Sequence, residues 1–203
     1  DQIDFNPTEN IDPPKSGLYL PTTLTTEETD KLLNSPDEDN FIELRDKAML
    51  YVLYSCGLRV SELIGLTINN IDLNRGSVRV LGKGSKERLV PMLPGLVKKL
   101  KLYSRNLEED SFLLQSKNGN KISPSTIYRV VNKYLRSIST KTKISPHVLR
   151  HTFATHILNN GADINSIKEI LGHKSLASTQ IYTKIKIPTI VNDYMKNHPR
   201  QKK

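Results

Sequence analysis

Asn40 to Ser55 reads NFIELRDKAMLYVLYS, and its pattern decides how the rest of the chain is organised. The second half is apolar on nearly every side, which marks a helix enclosed by other elements rather than one lying on a surface. Gly57 follows as a helix stop, since glycine enters the left-handed conformation without a Cβ penalty. A short helix is expected from Val60 to Leu66. Upstream, Thr25 and Glu28 have capping-box spacing and open a helix running to about Asn34.

Downstream the period changes. IDL, SVRVL and ERLVPM read as short strands, joined through Asn74-Arg75-Gly76 and through the tight GKGSK turn. Helices resume at about 94–104, 123–138, 146–159, 163–171 and 175–183. The fold class is therefore mainly α with one small antiparallel sheet (α+β), and no internal repeat is visible. Residues 1–24, with Pro7, Pro13, Pro14 and Pro21, read as a linker following a domain outside this chain. Residues 25–183 form the main domain. Residues 184–203 hold an amphipathic segment, IPTIVNDYM, and a basic end.

Composition narrows the function classes. The 203 residues suit one substantial domain, and 36% hydrophobic content supports a packed core. Thirty basic against twenty-one acidic residues leave a net charge of +9, the footprint of a phosphate-rich partner or simply of a basic protein. No apolar run approaches the roughly 20 residues of a membrane helix, and DQIDFNPTEN lacks the basic and apolar regions of a signal peptide. A single cysteine, Cys56, leaves no internal disulfide framework or cysteine-rich zinc site and fits a reducing cytoplasm.

SPHVLRHTFATHI, Ser145 to Ile157, poses the functional question, because a helix burying Leu149, Phe153 and Ile157 crowds its opening turns with His147, Arg150 and His151. Ser145 suits the N-cap and Pro146 the first turn. His147 then lies where free backbone N–H groups favour an anion, and Arg150 offers a planar fork one turn along. An anion at this helix end accounts for both. His156 shares the apolar stripe and reads as a satisfied core histidine. His147 and His151 have metal-binding spacing, but Val148 stands where H-E-x-x-H needs glutamate, so no metal is expected.

Three further residues are ambiguous singly. Arg59, within YVLYSCGLRVSELIGL, needs a partner: Glu62, in a structural pair, or a phosphate with Glu62 holding the guanidinium from behind. Lys83 sits between glycines in LGKGSKERLV, where a loop tip can approach a ligand or merely be solvated; this is not a P-loop. His173 follows the helix stop Gly172, and Tyr182 lies nine residues on, where an amphipathic surface tyrosine is the plain reading.

Together, GLRVSEL, GKGSKER, SPHVLRHTFATH, LGH and STQIYT resemble, in that order, the tyrosine recombinase (phage integrase) family. The likeness is greatest to the catalytic domain of the bacterial Xer recombinases, the XerC/XerD type, and spans roughly residues 12 to 200. It implies a tyrosine recombinase catalytic-domain fold, preceded by a core-binding domain. Tyr182 is then the nucleophile that attacks a scissile DNA phosphate. Arg59 and Arg150 clamp the non-bridging oxygens, His147 handles the tyrosine proton or the phosphate, His173 adds a hydrogen bond, and Lys83 protonates the leaving 5′ oxygen.

No cofactor, metal or ATP is implied. The implied partners are a double-stranded DNA recombination site, further recombinase subunits in a tetramer that exchanges C-terminal helices, and a DNA translocase such as FtsK. The implied location is the bacterial cytoplasm, at the nucleoid. Ile187, Ile190, Val191 and Tyr194 are expected to face an adjacent protomer. Xer-like dimer resolution leads. The alternatives are a mobile-element integrase, a type IB topoisomerase-like relaxing enzyme, and a basic DNA-binding module without catalysis.

Overall fold

The computed structural model describes residues 23–82, 87–105, 107–138, 145–172 and 186–201. Helix α1 (Thr26–Asn34) starts at the expected capping box: Thr25 Oγ1 accepts from Glu28 N at 3.1 Å, and Glu28 Oε2 accepts from Thr25 N at 2.8 Å. Helix α2 (Phe41–Cys56) is the central helix, buried from Arg45 to Cys56 and packed against α1, α4 (Pro94–Ser104) and α6 (Pro146–Asn159). Its charged residues Arg45, Asp46 and Lys47 also lie inside, each with a partner. Arg45 donates to Asp46 and to the Gln115 carbonyl, and Lys47 meets Glu38 at 2.9 Å.

Helix α3 (Val60–Ile64) stops two residues before the expected Leu66, because the chain then passes into a bridge between Thr67 and Phe112. Strand β1 (Ile71–Asp72) is cut short as well: Asp72 Oδ1 accepts from the backbone N–H groups of Asn74 and Arg75, which closes a turn. Strands β2 (Ser77–Leu81) and β3 (Glu87–Pro91) complete an antiparallel sheet of order β1-β2-β3. The register pairs Val78 with Val90 and Val80 with Arg88. Val78, Val80 and Val90 turn to the core while Arg79, Leu81 and Leu89 turn outward.

Helices α5 (Pro124–Ile138), α6, α7 (Ile164–Leu171) and α8 (Lys186–Asn197) follow. The four helices from 94 to 171 start and end within one residue of the bounds read from periodicity. Ser145 occupies the N-cap of α6 in extended conformation, but its side chain makes no capping bond there. The tip of the GKGSK turn and the expected helix 175–183 lie outside the described residues. No described helix is long and apolar enough to cross a membrane.

Candidate active site at an arginine-lined helix corner

Two helices end against each other here, and both ends are made by glycine. Gly57 closes α2 at φ +58°, and Gly172 closes α7 at φ +65°. A Cβ on Gly57 would lie 2.6 Å from Phe153 Cδ1 and 2.8 Å from Leu171 Cδ2, so only glycine lets the α2 end meet α6 and α7 this closely. The sharp turn at Gly57 places Arg59 at the N-cap of α3, with Glu62 one turn on.

A helix C-terminus leaves carbonyls without intrahelical partners. At the end of α7 three successive ones accept from three different arginines. Ile170 O takes Arg88 Nε at 2.7 Å, Leu171 O takes Arg150 Nη2 at 2.7 Å, and Gly172 O takes Arg59 Nη2 at a looser 3.4 Å. Arg150 also donates to the Gly57 carbonyl through Nη1. The corner thus concentrates guanidinium charge where helix dipoles and bare carbonyls favour it.

One carboxylate lies among the three cations. Glu62 Oε1 accepts from Arg59 Nη1 and Arg88 Nη1, both at 2.9 Å; Oε2 accepts from Arg59 N at 2.8 Å and Arg88 Nη2 at 2.9 Å. Burial pushes this carboxyl's pKa up, but the bonds from Arg88 and Arg59 outweigh it and hold the pKa below its ordinary value. Positive charge still prevails. Burial, then the neighbouring Arg59 and Arg88 charges, push the Arg150 pKa down to about 10, with Glu62 opposing. An anion bound beside Arg150 would relieve that repulsion.

Of the residues singled out by sequence, Arg59 and Arg150 therefore meet at one corner. His147 lies exposed in the first turn of α6, one turn before Arg150. Lys83, His173 and Tyr182 lie outside the described residues. His151 is exposed, and the group of metal-capable side chains that the described residues bring together is Asp37, Asp39 and Glu43, at the far end of α2. His156 is the core residue it was expected to be. Its ring bonds Tyr54 Oη at 3.0 Å through Nδ1 and the Leu24 carbonyl at 2.9 Å through Nε2, so Nε2 carries the proton.

Glu62 pairs with Arg59, the partner considered for it, through both its guanidinium and its backbone N–H. Arg88 was missed. Strand alternation could have flagged it, since it shares the inward parity of Val90 while Glu87 and Leu89 face out.

Comparison with known proteins identifies the family. Residues 22–187 match the phage integrase family. The chain is 41% identical over 202 residues to tyrosine recombinase XerD of Pseudomonas aeruginosa, covering 96% of itself and 68% of that protein. It is equally, 41%, identical over 211 residues to XerC of Thermodesulfovibrio yellowstonii, covering 98% of itself and 70% of that protein. The crystal structure of XerA recombinase superposes with a TM-score of 0.69 at 36% identity, over 95% of this chain and 69% of that one. The integrase of mycobacterium phage Brujita gives 0.75 at 23% identity, over 94% of this chain and 62% of that one, a likeness of fold. The chain belongs to the phage integrase family, as a tyrosine recombinase of the XerC and XerD kind.

Proposed function

We propose that this chain cuts and rejoins DNA strands at a specific site through a 3′-phosphotyrosyl intermediate, in Xer-like resolution of replicon dimers. The observation that supports it best is the cationic corner itself, where the Arg59 and Arg88 guanidinium groups share one carboxylate and crowd Arg150 with their charge. Such a site favours an oxyanion over any neutral ligand, and favours it more as charge builds on the non-bridging oxygens in a transition state. The identity to XerD and XerC makes a DNA phosphate the choice among oxyanions.

In this reading the Tyr182 phenol oxygen attacks the scissile phosphorus. The new P–O(Tyr) bond forms as the P–O5′ bond breaks. The phenol proton passes to His147 or to solvent, and Lys83 delivers a proton to the departing 5′ oxygen. Arg59 and Arg150 neutralise the non-bridging oxygens, and His173 adds a hydrogen bond. The phosphodiester energy is stored in the tyrosyl ester, so a 5′-hydroxyl attacks back without ATP. The +9 charge suits tracking of the DNA backbone. Assembly as a tetramer on paired sites, and activation by a translocase of the FtsK kind, belong to the same proposal.

The test begins with nicked duplexes selected from a random-sequence pool by covalent capture on the chain. A denaturing gel should show a protein–DNA adduct, and Tyr182→Phe should abolish it while leaving affinity within a few-fold. Strand exchange between two duplexes would separate a recombinase from a relaxing enzyme. An adduct that survives Tyr182→Phe removes that tyrosine from the role.

A further inference from the structure

We propose that Arg88 is a positioning residue for Arg59: by occupying the Glu62 carboxylate from the hairpin side, it leaves most of the Arg59 guanidinium free for a phosphate. This rests on the phosphate-binding reading of Arg59 given above.

The argument is a count of lone pairs. An ionised carboxylate accepts about four hydrogen bonds. Glu62 accepts four in the structure, two from Arg88, one from the Arg59 backbone and one from the Arg59 guanidinium. Arg88 is spent in these contacts. Its fork spans both Glu62 oxygens, its Nε holds Ile170 O at 2.7 Å, and its side chain is 9% exposed. Arg59 is the opposite case: one N–H reaches Glu62, one makes the loose approach to Gly172 O, and the side chain is 38% exposed.

Remove the Arg88 fork and the arrangement changes. The Glu62 carboxylate, 5% exposed, would have two unfilled positions and one guanidinium within reach. A guanidinium and a carboxylate prefer two parallel bonds. Arg59 would turn its second N–H onto Glu62 and so withdraw from the ligand. Lysine cannot replace Arg88, since one ammonium cannot span two carboxylate oxygens and the Ile170 carbonyl together.

Arg88 also joins the two halves of the site. It lies on β3, five residues past Lys83 in sequence, and its Nε is fixed at the carbonyl preceding the one that holds Arg150. The fit leaves no slack, because a Cβ on Gly172 would lie 3.1 Å from Arg88 Nη1 and 3.2 Å from its Cζ.

The experiment compares single-turnover cleavage of the captured nicked duplex with that of the same duplex carrying a methylphosphonate at the scissile position. The methyl group replaces one charged oxygen, so a guanidinium that neutralises that oxygen becomes dispensable. On the phosphate, Arg88→Lys should slow cleavage by about 100-fold, the typical loss for one transition-state donor, with DNA affinity within a few-fold. On the methylphosphonate the deficit should shrink to a few-fold, in parallel with Arg59→Ala. A full deficit in Arg88→Lys on a substrate that relieves Arg59→Ala would overturn the proposal, as would normal cleavage of the phosphate by Arg88→Lys. If Arg59→Ala itself has no deficit on the phosphate, or none that the methylphosphonate relieves, the phosphate role of Arg59 fails first and the proposal with it.

Should Arg88→Lys lose cooperative thermal unfolding, the paired variant Glu62→Gln/Arg88→Gln answers instead. No carboxylate then remains to capture Arg59, so it should cleave within about 10-fold of Glu62→Gln alone. A further drop of about 100-fold would count against the proposal.

Discussion

Gly57 has three roles at one residue. Its left-handed conformation ends α2, its lack of a side chain admits Phe153 and Leu171, and its carbonyl receives Arg150. Gly57→Ala would meet both the φ +58° penalty and contacts at 2.6 and 2.8 Å that no real Cβ tolerates. Strained backbone and overpacking each cost roughly 1–3 kcal/mol, so urea denaturation should show about 2–6 kcal/mol lost. Cleavage should fall further than folding does, because displacing the carbonyl displaces Arg150. A change below about 1 kcal/mol would show that α6 and α7 simply move aside. The sequence announces the glycine as a helix stop, whereas its part in holding Arg150 depends on a residue 93 positions away.

At the scale of an element, α8 departs most from expectation. The sequence reading turns Tyr194 toward an adjacent protomer. Here that side chain is 1% exposed inside its own domain, its ring 6.2 Å from Phe153 and its hydroxyl donating to the Ser55 carbonyl at 2.8 Å. The side chain of Ile187 lies outside the described residues, while Ile190 and Val191 are half-buried. The helix also braces the loop between α6 and α7: Asp193 accepts from Asp163 N, and the Asn197 carbonyl accepts from Asn160. Periodicity identified an apolar face correctly and could not say which surface it covers. Tyr194→Ala should then cost about 3–5 kcal/mol and Tyr194→Phe about 1 kcal/mol in guanidinium denaturation of the isolated chain. A loss under 1 kcal/mol for Tyr194→Ala would mean that the ring is dispensable to its own domain.

Across the whole molecule, the closure of the C-terminal segment on the helical core sets a pH dependence. His198 is enclosed by Tyr54, Phe153 and Tyr194, and Arg200 beyond it bonds Asp30 at 2.7 Å and Tyr51 Oη at 2.8 Å. Burial, helped by the Arg200 charge, pushes the His198 pKa down to about 3 from an ordinary 6.5, and burial lowers His156 as well. The folded state thus stays neutral at His198 while the unfolded chain takes up a proton. That stability is fully present above pH 6.5 and is lost progressively from there toward pH 3. By linkage about 2 kcal/mol should disappear between pH 8 and pH 5 through His198 alone. Denaturant titrations at the two pH values check this, with His198→Phe expected to flatten the difference. An equal pH difference in His198→Phe would assign the effect to other groups.

What the sequence by itself determined is local, or a matter of order along the chain. Helix starts and stops, strand alternation and the succession of Arg59, Lys83, His147, Arg150, His173 and Tyr182 are all read within windows of a few residues, where periodicity, capping and motif chemistry operate. Hence nearly every described element and the family were legible. Only the tertiary structure decided that the α7 end offers three successive carbonyls to three arginines from α3, β3 and α6. It also decided that Arg88 shares Glu62 with Arg59, and that Tyr194 and His198 close the core of their own domain. These are pairings between residues tens to more than a hundred positions apart. Nothing in the local pattern encodes them, because burial supplies the low-dielectric setting in which a guanidinium must find its partner, and burial exists only once the chain has packed.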